Sequence, residues 1–388
     1  MTPGARLSAA ITILDGVLSG TPAEQALTNW ARASRFAGST DRFAIRDLVF
    51  GAIRCRRSHA ALGGAQTGRG LVLGGLRDAG VDASALFTGE GHAPLPLTDA
   101  EAKAPTDLPE LVALDCPDWL APRLRAALGP DFAPVMEALR QRAPVFLRVN
   151  AARLTRPEAI AALAAEGIAA KPHPLAGTAL EVTENARRIH LCQSYLTGLV
   201  ELQDVASQAV VQALAVAPGM RVLDYCAGGG GKTLALAARC DLRLFAHDAD
   251  PRRMRDLPAR AARAGVQVRL IDTAAVRRTA PCDLVLVDAP CSGSGSWRRS
   301  PEAKWALDAD RLAALGATQA AILDAVAPLV APGGRLAYVT CSLLDAENGA
   351  QIAAFLARSG DWQGLSSRHL TPLEGGDGFF LAILGRNT

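Results

Sequence analysis

Three residues that could do covalent chemistry stand at the ends of two apolar stretches. Asp288 ends the β-branched run 284–287, and Cys291 follows three residues later. Cys341 ends a second run, 335–340. Such runs are typical of strands buried on both faces of a parallel sheet, whose carboxyl edge holds ligands in open α/β folds. Two thiols and a carboxylate at neighbouring strand ends indicate covalent chemistry. Packing is the alternative interpretation, because free cysteine is among the most buried residue types.

A glycine-rich turn follows another predicted strand, 221–224. Residues 227–231 read Ala-Gly-Gly-Gly-Gly, and Lys232 then opens a helix. Such a turn lets the backbone approach a ligand at a helix N-terminus. A P-loop would need a glycine where the chain has Cys226, and a dinucleotide fingerprint would need one at Thr233. The spacing therefore fits neither of these motifs.

Three acids end three successive predicted strands: Asp224, Asp248 and Asp272. Rossmann-like methyltransferases hold S-adenosylmethionine with acids placed in this way. An acid at the second strand end can accept both ribose hydroxyls, and one at the third can reach the adenine amino group. Any of the three could instead cap a helix. Together they favour an S-adenosylmethionine site.

The chain pattern places these residues in an α/β fold. From residue 200 strands and helices alternate, which predicts βαβ units and a mainly parallel sheet. We expect strands at 221–224, 243–247, 266–271, 284–288 and 335–340, helices near 203–215, 232–239, 251–264, 308–330 and 346–358, and a hairpin from 362–368 and 379–384 at the sheet edge. The prediction is a Rossmann-like methyltransferase domain over 201–388, a small α+β unit over 141–200 and a helical bundle over 1–140.

Composition narrows the class of protein. Hydrophobic residues make up 49% of the 388 positions, which is enough for packed cores. We find no stretch that reaches the ~20 apolar residues of a membrane span and no secretory signal, so we expect a cytoplasmic protein with reduced cysteines. No cysteine or histidine cluster has zinc spacing, so no metal is expected. Residues 1–80 carry ten arginines against five acids, which fits a nucleic-acid-binding arm or simply a solvated surface.

The motifs together resemble the Sun/RsmB-type RNA 5-methylcytosine methyltransferases. The resemblance runs from about Leu202 to the C-terminus and rests on the glycine turn and on seven further motifs: 203–208 (QDVASQ), 288–295 (DAPCSGSG), Arg298-Arg299, Lys304-Trp305, 340–342 (TCS), Glu347-Asn348 and 376–380 (GDGFF). The chain departs from the family at the turn, where Gly228-Gly229-Gly230-Gly231 replaces Ala-Pro-Gly-Gly. Residues 1–140 are similar to the NusB-like helical RNA-binding domain of some members.

The resemblance implies a role for each site residue. Cys341 would attack carbon 6 of cytosine, Asp288 would hold the base edge, and Cys291 would act as general base or release group. The implied cofactor is S-adenosylmethionine, and its implied binding residues are Asp224, Cys226, Ala227, Gly228, Gly229, Gly230, Gly231, Lys232, Asp248, Arg253, Asp272 and Asp288. The implied substrate is RNA, with ribosomal RNA favoured over transfer RNA. The charges just after the catalytic loop, Arg298, Arg299 and Lys304, suit backbone phosphates.

Two other functions compete with this interpretation. The first is a non-catalytic RNA-binding or ribosome-assembly factor on a methyltransferase fold. The complete set of Asp288, Cys291 and Cys341 argues against it, because a binding module needs no nucleophile. The second is an NTPase, suggested by the Gly-Lys-Thr at 231–233. We expect a monomer, and we expect the α/β core to fold without residues 1–140.

Overall fold

The computed structural model describes residues 1–103 and 107–387. Its contacts divide the chain into two compact units: Met1–Arg142 with Trp297–Ala306, and Ala143–Ser296 with Leu307–Thr388. The first boundary lies near the predicted one at residue 140. The three predicted domain ranges themselves stay a prediction.

The first unit is helical, as predicted. Its helices are α1 Pro3–Leu18, α2 Ala23–Ala33, α3 Ser39–Arg54, α4 Arg56–Gly63, α5 Gly68–Asp78, α6 Asp99–Ala102, α7 Glu110–Ala113, α8 Ala121–Leu128, α9 Phe132–Arg140 and, far along the chain, α16 Pro301–Ala306. Apolar residues at helical spacing in α1, α3 and α5 form its core, including Leu14, Ile45 and Leu73. Thr2 caps α1 by accepting from the backbone N–H of Ala5.

The segment Trp297–Ala306 is held by α2 and α3. The ammonium of Lys304 donates to the carbonyl of Arg54 at 2.9 Å, and the indole of Trp305 donates to the carbonyl of Ile53 at 2.7 Å. Arg298 and Lys304 are buried. The expectation that these two residues bind RNA phosphates is therefore wrong, because their charged groups are withdrawn from solvent.

The second unit begins with a small α+β layer. Its elements are β1 Val145–Val149, α10 Arg156–Ala165, β2 Ala169–Pro172, β3 Ala179–Glu184, α11 Gln193–Leu196 and β4 Val200–Leu202. The four antiparallel strands lie in the order β2-β3-β1-β4. The residues that we expected to open the methyltransferase domain thus belong to the fourth strand of this sheet. The expected strands near residues 168 and 180 are present.

A seven-stranded sheet forms the rest of the second unit. Its elements are α12 Val205–Ala213, β5 Arg221–Asp224, α13 Gly231–Ala237, β6 Arg243–Ala246, α14 Leu257–Ala264, β7 Arg269–Leu270, α15 Thr273–Val276, β8 Cys282–Asp288, α17 Ala309–Val326, β9 Val330–Thr340, α18 Gly349–Arg358, β10 Trp362–Leu370 and β11 Phe379–Arg386. The strand order is β10-β11-β9-β8-β5-β6-β7, with β5 to β9 parallel and the last two strands antiparallel. This topology confirms the Rossmann-like fold class and the C-terminal hairpin.

Two elements are shorter than predicted. The strand expected over 266–271 is reduced to β7, which is an exposed edge strand of two residues. The helix expected over 251–264 is split into a 3-10 turn, Pro251–Met254, and α14. Pro258 lies in the first turn of α14 and has no N–H to continue a helix from the residues before it.

One helix is long and apolar enough to cross a membrane, contrary to the expectation from the sequence. The helical stretch Ala309–Leu329 contains α17 and meets that test by length and composition alone. Its buried residues are Leu312, Gln319, Leu323 and Val326, and two of them, Leu323 and Val326, pack in a core with residues of β8 and β9. Only 28% of its most apolar window is buried. The absence of a membrane partner stays a prediction.

Candidate active site

The carboxyl ends of three adjacent strands bring the predicted catalytic residues together. Asp288 is the last residue of β8, and Cys341 follows the last residue of β9. These two strands are parallel neighbours, with Asp288 opposite Val339. Strand β5 lies on the other side of β8 and ends at Asp224. The parallel register therefore delivers two acids and a thiol to the same sheet edge, as the sequence predicted.

The two thiols of the site are in direct contact. The Sγ atoms of Cys291 and Cys341 lie 3.4 Å apart. The hydrogen bond from Cys291 lowers the pKa of Cys341, despite its burial, and the ammonium of Lys232 acts in the same direction. The pKa of Cys291 is raised well above its usual value, first by this hydrogen bond and then by burial. The opposite directions of these two pKa shifts favour a thiolate on Cys341 and a protonated Cys291.

A buried ion pair stands beside the thiols. Lys232 donates to the carboxylate of Asp288 at 2.6 Å, and its ammonium lies 5.0 Å from the centre of the Phe379 ring. Burial by itself would lower the pKa of Lys232, but the charge and hydrogen bond of Asp288 outweigh it and the pKa is raised. The lysine therefore stays charged. The side chain of Asp288 remains 35% exposed, which leaves part of its carboxylate open to a ligand.

The glycine turn is shaped by close approaches of the backbone. Gly228 and Gly230 have φ values of +51° and +81°, which favour glycine. A Cβ on Gly230 would come within 2.2 Å of a methyl carbon of Leu257 on α14, so a side chain there would displace Leu257 as well as strain the backbone. The backbone N–H of Gly228 donates to Asp248 at 2.9 Å, and the guanidinium of Arg253 lies 3.2 Å from the same carboxylate. The second strand-end acid is thus fixed beside the turn.

Asp224 lies beneath the turn and is almost completely buried. One carboxylate oxygen accepts from the hydroxyl of Thr233 at 2.6 Å, and the other has no hydrogen-bond partner among the described residues. Burial raises the pKa of Asp224 to about 7, and the nearby charges of Asp288 and Asp248 add to that effect. An orphaned buried oxygen next to a glycine turn fits a ligand that supplies a donor.

The remaining predicted cofactor residues differ in their placement. The thiol of Cys226 lies in the turn, and burial followed by the charge of Asp224 raises its pKa. Asp272 is exposed and caps α15 by accepting from the backbone N–H of Ala275 at 2.8 Å. The structure thus gives Asp272 the helix-capping role that was the alternative for each acid, and its contact with adenine stays a prediction.

One acid at the site has a role that the sequence interpretation left unassigned. Glu347 is fully buried, and its carboxylate accepts from the backbone N–H of Ser292 at 2.8 Å and from the side chain of Gln319 at 3.1 Å. The hydroxyls of Ser292 and Ser342 also donate to it. Ser292 follows Cys291 and Ser342 follows Cys341, so one carboxylate ties both cysteine-bearing loops together. The Glu347-Asn348 pair in the motif set was the only sequence signal for this network.

The closing glycines of the chain have a structural reason. The backbone N–H of Gly378 donates to the carbonyl of Gly295 at 2.9 Å. A Cβ on Gly295 would lie 2.1 Å from the carbonyl oxygen of Gly378. The two chain segments cross so closely that neither accepts a side chain. This crossing holds the end of the catalytic loop, because Gly295 also donates to the carbonyl of Cys341 at 3.0 Å.

The first unit contains a further cluster of possible ligands, although the sequence predicted no metal. Ligand atoms of Cys55, His59 and Asp78 lie within 4.8 Å of one another. The guanidinium of Arg140 already lies 3.0 Å from Asp78. A positive charge therefore stands where a cation would bind, and the absence of a metal stays a prediction.

Two family models match the chain, and the second of them begins within the first unit. The family model described as 16S rRNA methyltransferase RsmB/F matches residues 211–384. The ferredoxin-like domain of RsmF/B-like methyltransferases matches residues 116–188. These matches include the glycine turn and both cysteine loops.

The chain is also similar to individual proteins. The chain is 38% identical over 288 residues to ribosomal RNA small subunit methyltransferase B of Xanthomonas campestris, which covers 69% of this chain and 66% of that protein. It is also 38% identical over 286 residues to the protein of the same name from Xylella fastidiosa strain 9a5c, which covers 69% and 68%. The alignments thus span about two thirds of these relatives.

Two solved structures share the fold. PH0851 has a TM-score of 0.76 at 23% identity over 99% of both chains. A methyltransferase homolog protein from Pyrococcus horikoshii has a TM-score of 0.63 at 27% identity, over 73% of this chain and all of that one. The Rossmann-like class of the second unit is thus found in experimental structures as well.

Proposed function

Because the chain belongs to the RsmB/F family of 16S rRNA methyltransferases, we propose that it methylates carbon 5 of a cytosine in RNA through a covalent cysteine adduct. S-adenosylmethionine is the cofactor of the family. The observation that carries the proposal is the contact between two unequal thiols, Cys291 and Cys341, beside the ion pair of Lys232 and Asp288. If the two cysteines served only for packing, neither their unequal pKa values nor the neighbouring charges of Lys232 and Asp288 would be needed.

The residues at the turn fit this cofactor. The flexible backbone of 228–231 allows close approach, and Asp248 stands beside it with its carboxylate fixed by Gly228. We assign Asp248 to the ribose hydroxyls and the orphaned oxygen of Asp224 to a cofactor donor. The bound cofactor would supply an electrophilic methyl group. The predicted cofactor-binding set still includes five further residues: Cys226, Ala227 and Gly229 in the turn, and Arg253 and Asp272 outside it.

Cys341 is the proposed nucleophile. Carbon 5 of cytosine is a poor nucleophile, and addition of a thiolate to carbon 6 gives carbon 5 enamine character. The addition forms the S–C6 bond and moves the electron pair of the C5–C6 double bond toward carbon 5 and the ring. A thiolate is required for this step, and Cys341 is the thiol whose pKa is lowered.

Asp288 and Lys232 are the proposed partners of the base edge. Negative charge that moves into the ring on addition is stabilised when a proton is shared at the ring nitrogen. Asp288 is open enough to reach a base, and Lys232 fixes its orientation through the 2.6 Å bond. Lys232 is also proposed to bind the methionine carboxylate of the cofactor. Its ammonium would then contact two carboxylates, that of Asp288 and that of the cofactor.

Cys291 is the proposed release group. After methyl transfer the proton on carbon 5 must leave, and its electron pair re-forms the C5–C6 bond as the S–C6 bond breaks. The sulfur of Cys291 is 3.4 Å from that of Cys341, so it lies beside the adduct. Cys291 begins protonated, so its own proton must first pass to water; the addition by Cys341 consumes the thiolate that opposes this ionisation, and the Cys291 thiolate then accepts the carbon 5 proton.

Ribosomal RNA is the proposed substrate, because the curated relatives carry that name. The target base must leave its stack to meet the thiol and the cofactor together, so we expect a loop or a single strand. We also propose that the chain acts as a cytoplasmic monomer. Which cytosine is modified would follow from bisulfite sequencing of RNA from a deletion strain.

The adduct itself provides the test. We expect Cys291→Ala to methylate and then resolve slowly, so that protein and RNA co-migrate on a denaturing gel when S-adenosylmethionine is present. Cys341→Ala should give no such band, and the double substitution should lose it. Cys282→Ala is the matched control, because this buried cysteine lies at the start of β8, away from the sheet edge.

The outcomes of these experiments distinguish the proposed mechanism from an alternative nucleophile and from the two alternative functions. A band in Cys341→Ala and none in Cys291→Ala would make Cys291 the nucleophile. No band in any variant, with RNA binding intact, would return the protein to the class of non-catalytic RNA-binding factors. Binding of ATP in place of S-adenosylmethionine, measured by equilibrium dialysis, would favour the NTPase.

A further inference from the structure

The corner between α2 and α3 carries three exposed arginines around one cleft. Arg32, Arg35 and Arg42 line it together with Thr28 and Ala31, and its volume is about 350 Å³. Among the described residues, none of those that line the cleft is acidic. Three guanidinium groups around a concave surface make it strongly attractive to anions.

The nearest carboxylates on these helices are engaged elsewhere. Asp41 is buried and pairs with the amino group of Met1 at 3.2 Å and with Arg6 at 2.8 Å. Glu24, in the first turn of α2, pairs with Arg46. The positive charge of the cleft is therefore not cancelled by either acid.

The start of α3 contributes one of the three arginines. This helix has 16 residues, its N-cap Gly38 makes no side-chain cap, and its first turn already carries the acid Asp41. Of this turn only Arg42 lines the cleft, and its Nε atom donates to the carbonyl of Ala37 at 3.0 Å. The attraction for anions therefore comes from the arginines and not from the helix terminus.

An aromatic side chain in the same loop points to the nature of the anion. Phe36 follows Arg35 and is 77% exposed. Large apolar side chains in water next to arginines are typical of single-stranded nucleic-acid sites, where bases stack on aromatic rings and arginines hold the backbone.

We propose that this corner is a binding site for single-stranded RNA. Arg32, Arg35 and Arg42 bind successive backbone phosphates, and Phe36 stacks on one base. The planar fork of arginine fits a phosphate, and an unpaired base alone offers its face to a ring. The proposal rests on the proposed function for its RNA substrate, and it assigns the first unit a direct part in holding that RNA.

Filter binding of the full-length protein to an unstructured RNA, at several salt concentrations, tests the site. The triple change Arg32→Ala, Arg35→Ala and Arg42→Ala should weaken binding and reduce the salt slope by up to about 2, since each phosphate contact on a single strand contributes roughly 0.7. The matched control is Arg123→Ala, Arg125→Ala and Arg142→Ala, which removes equal charge from the same unit. The control should change the slope much less.

Phe36→Ala separates stacking from charge. We expect binding about 5- to 150-fold weaker with an unchanged salt slope, which is the range for loss of one stacked base. Leu95→Ala is the control, because Leu95 is similarly exposed at 73% and lies in the same unit. Circular dichroism and S-adenosylmethionine binding should match the wild type in every variant.

The results distinguish this site from the catalytic proposal. Wild-type protein that binds RNA without methylating it would overturn the proposed function and leave this site standing. Methylation by the wild type, with equal RNA affinity and salt slope in the triple variant, would overturn the site. Equal losses in the two triple variants would also overturn it, because they would indicate a diffuse electrostatic attraction.

Discussion

Asp224→Asn should stabilise the protein at neutral pH. Asp224 is the acid before the glycine turn, and it is buried with one unpartnered oxygen. Burial raises its pKa from 3.8 to about 7. In the unfolded chain the carboxyl ionises near pH 3.8, whereas the folded protein keeps the proton until about pH 7. The unfolded state therefore binds fewer protons in this window, and stability falls as pH rises through it.

The size of the expected stability difference follows from the shift in the pKa of Asp224. Each pKa unit corresponds to about 1.36 kcal/mol, so the full penalty above pH 7 is about 4 kcal/mol, and about 3 kcal/mol of it develops between pH 5 and 8. The amide of asparagine cannot ionise, and its oxygen can still accept from Thr233. The difference in unfolding free energy between Asp224→Asn and wild type should thus grow by about 3 kcal/mol from pH 5 to pH 8.

Scanning calorimetry at pH 5, 6.5 and 8 measures this difference. For a unit of this size, 3 kcal/mol corresponds to roughly 6–12 °C in Tm. Asp283→Asn removes an exposed carboxylate from β8 and controls for the loss of a charge as such. A variant whose advantage over wild type is the same at all three pH values would refute the reasoning, because the carboxyl would then already be ionised in the folded protein.

Three further predictions concern binding, positioning and folding. Asp248→Ala should weaken S-adenosylmethionine binding by about 1.5–3 kcal/mol in calorimetric titration, with RNA affinity unchanged; equal loss of both would mean that the acid is misassigned. Glu347→Gln should lower stability by about 4 kcal/mol, roughly 1 kcal/mol for each of four charge-assisted bonds, and should reduce adduct formation; Asp345→Asn, an exposed neighbour, should do neither. Removal of residues 1–140 should expose Trp305 and lower solubility; a soluble fragment with wild-type Tm would contradict this.

The sheet edge was predictable from the sequence because local signals determine it. Buried β-branched runs that end at Asp288 and Cys341 require strands, and parallel strands must share a carboxyl edge. The glycine turn after Asp224 was equally local, since the run of four glycines itself indicates a backbone with positive φ angles. These features need no knowledge of distant contacts.

The supports of the site were not predictable, because they join residues far apart in the chain. Glu347 meets Ser292 across 55 positions, and Gly378 crosses Gly295 across more than 80. The segment Trp297–Ala306 follows the catalytic loop in sequence and yet packs on α2 and α3, which turned two expected RNA contacts into buried anchors. This last result also changes the expectation for a fragment without residues 1–140, because the segment would lose the helices that bury it.

The two thiols have unequal environments, and the roles proposed for them rest on this difference. Cys341 receives the hydrogen bond of Cys291 and the field of Lys232, and both favour its thiolate. Cys291 lies near the buried charge of Glu347, which opposes ionisation. At 3.4 Å only one of the pair can hold a negative charge without strong repulsion. In the proposed mechanism this contact would favour the thiolate of Cys341 for the attack, and Cys291 would lose its proton only after the adduct has formed.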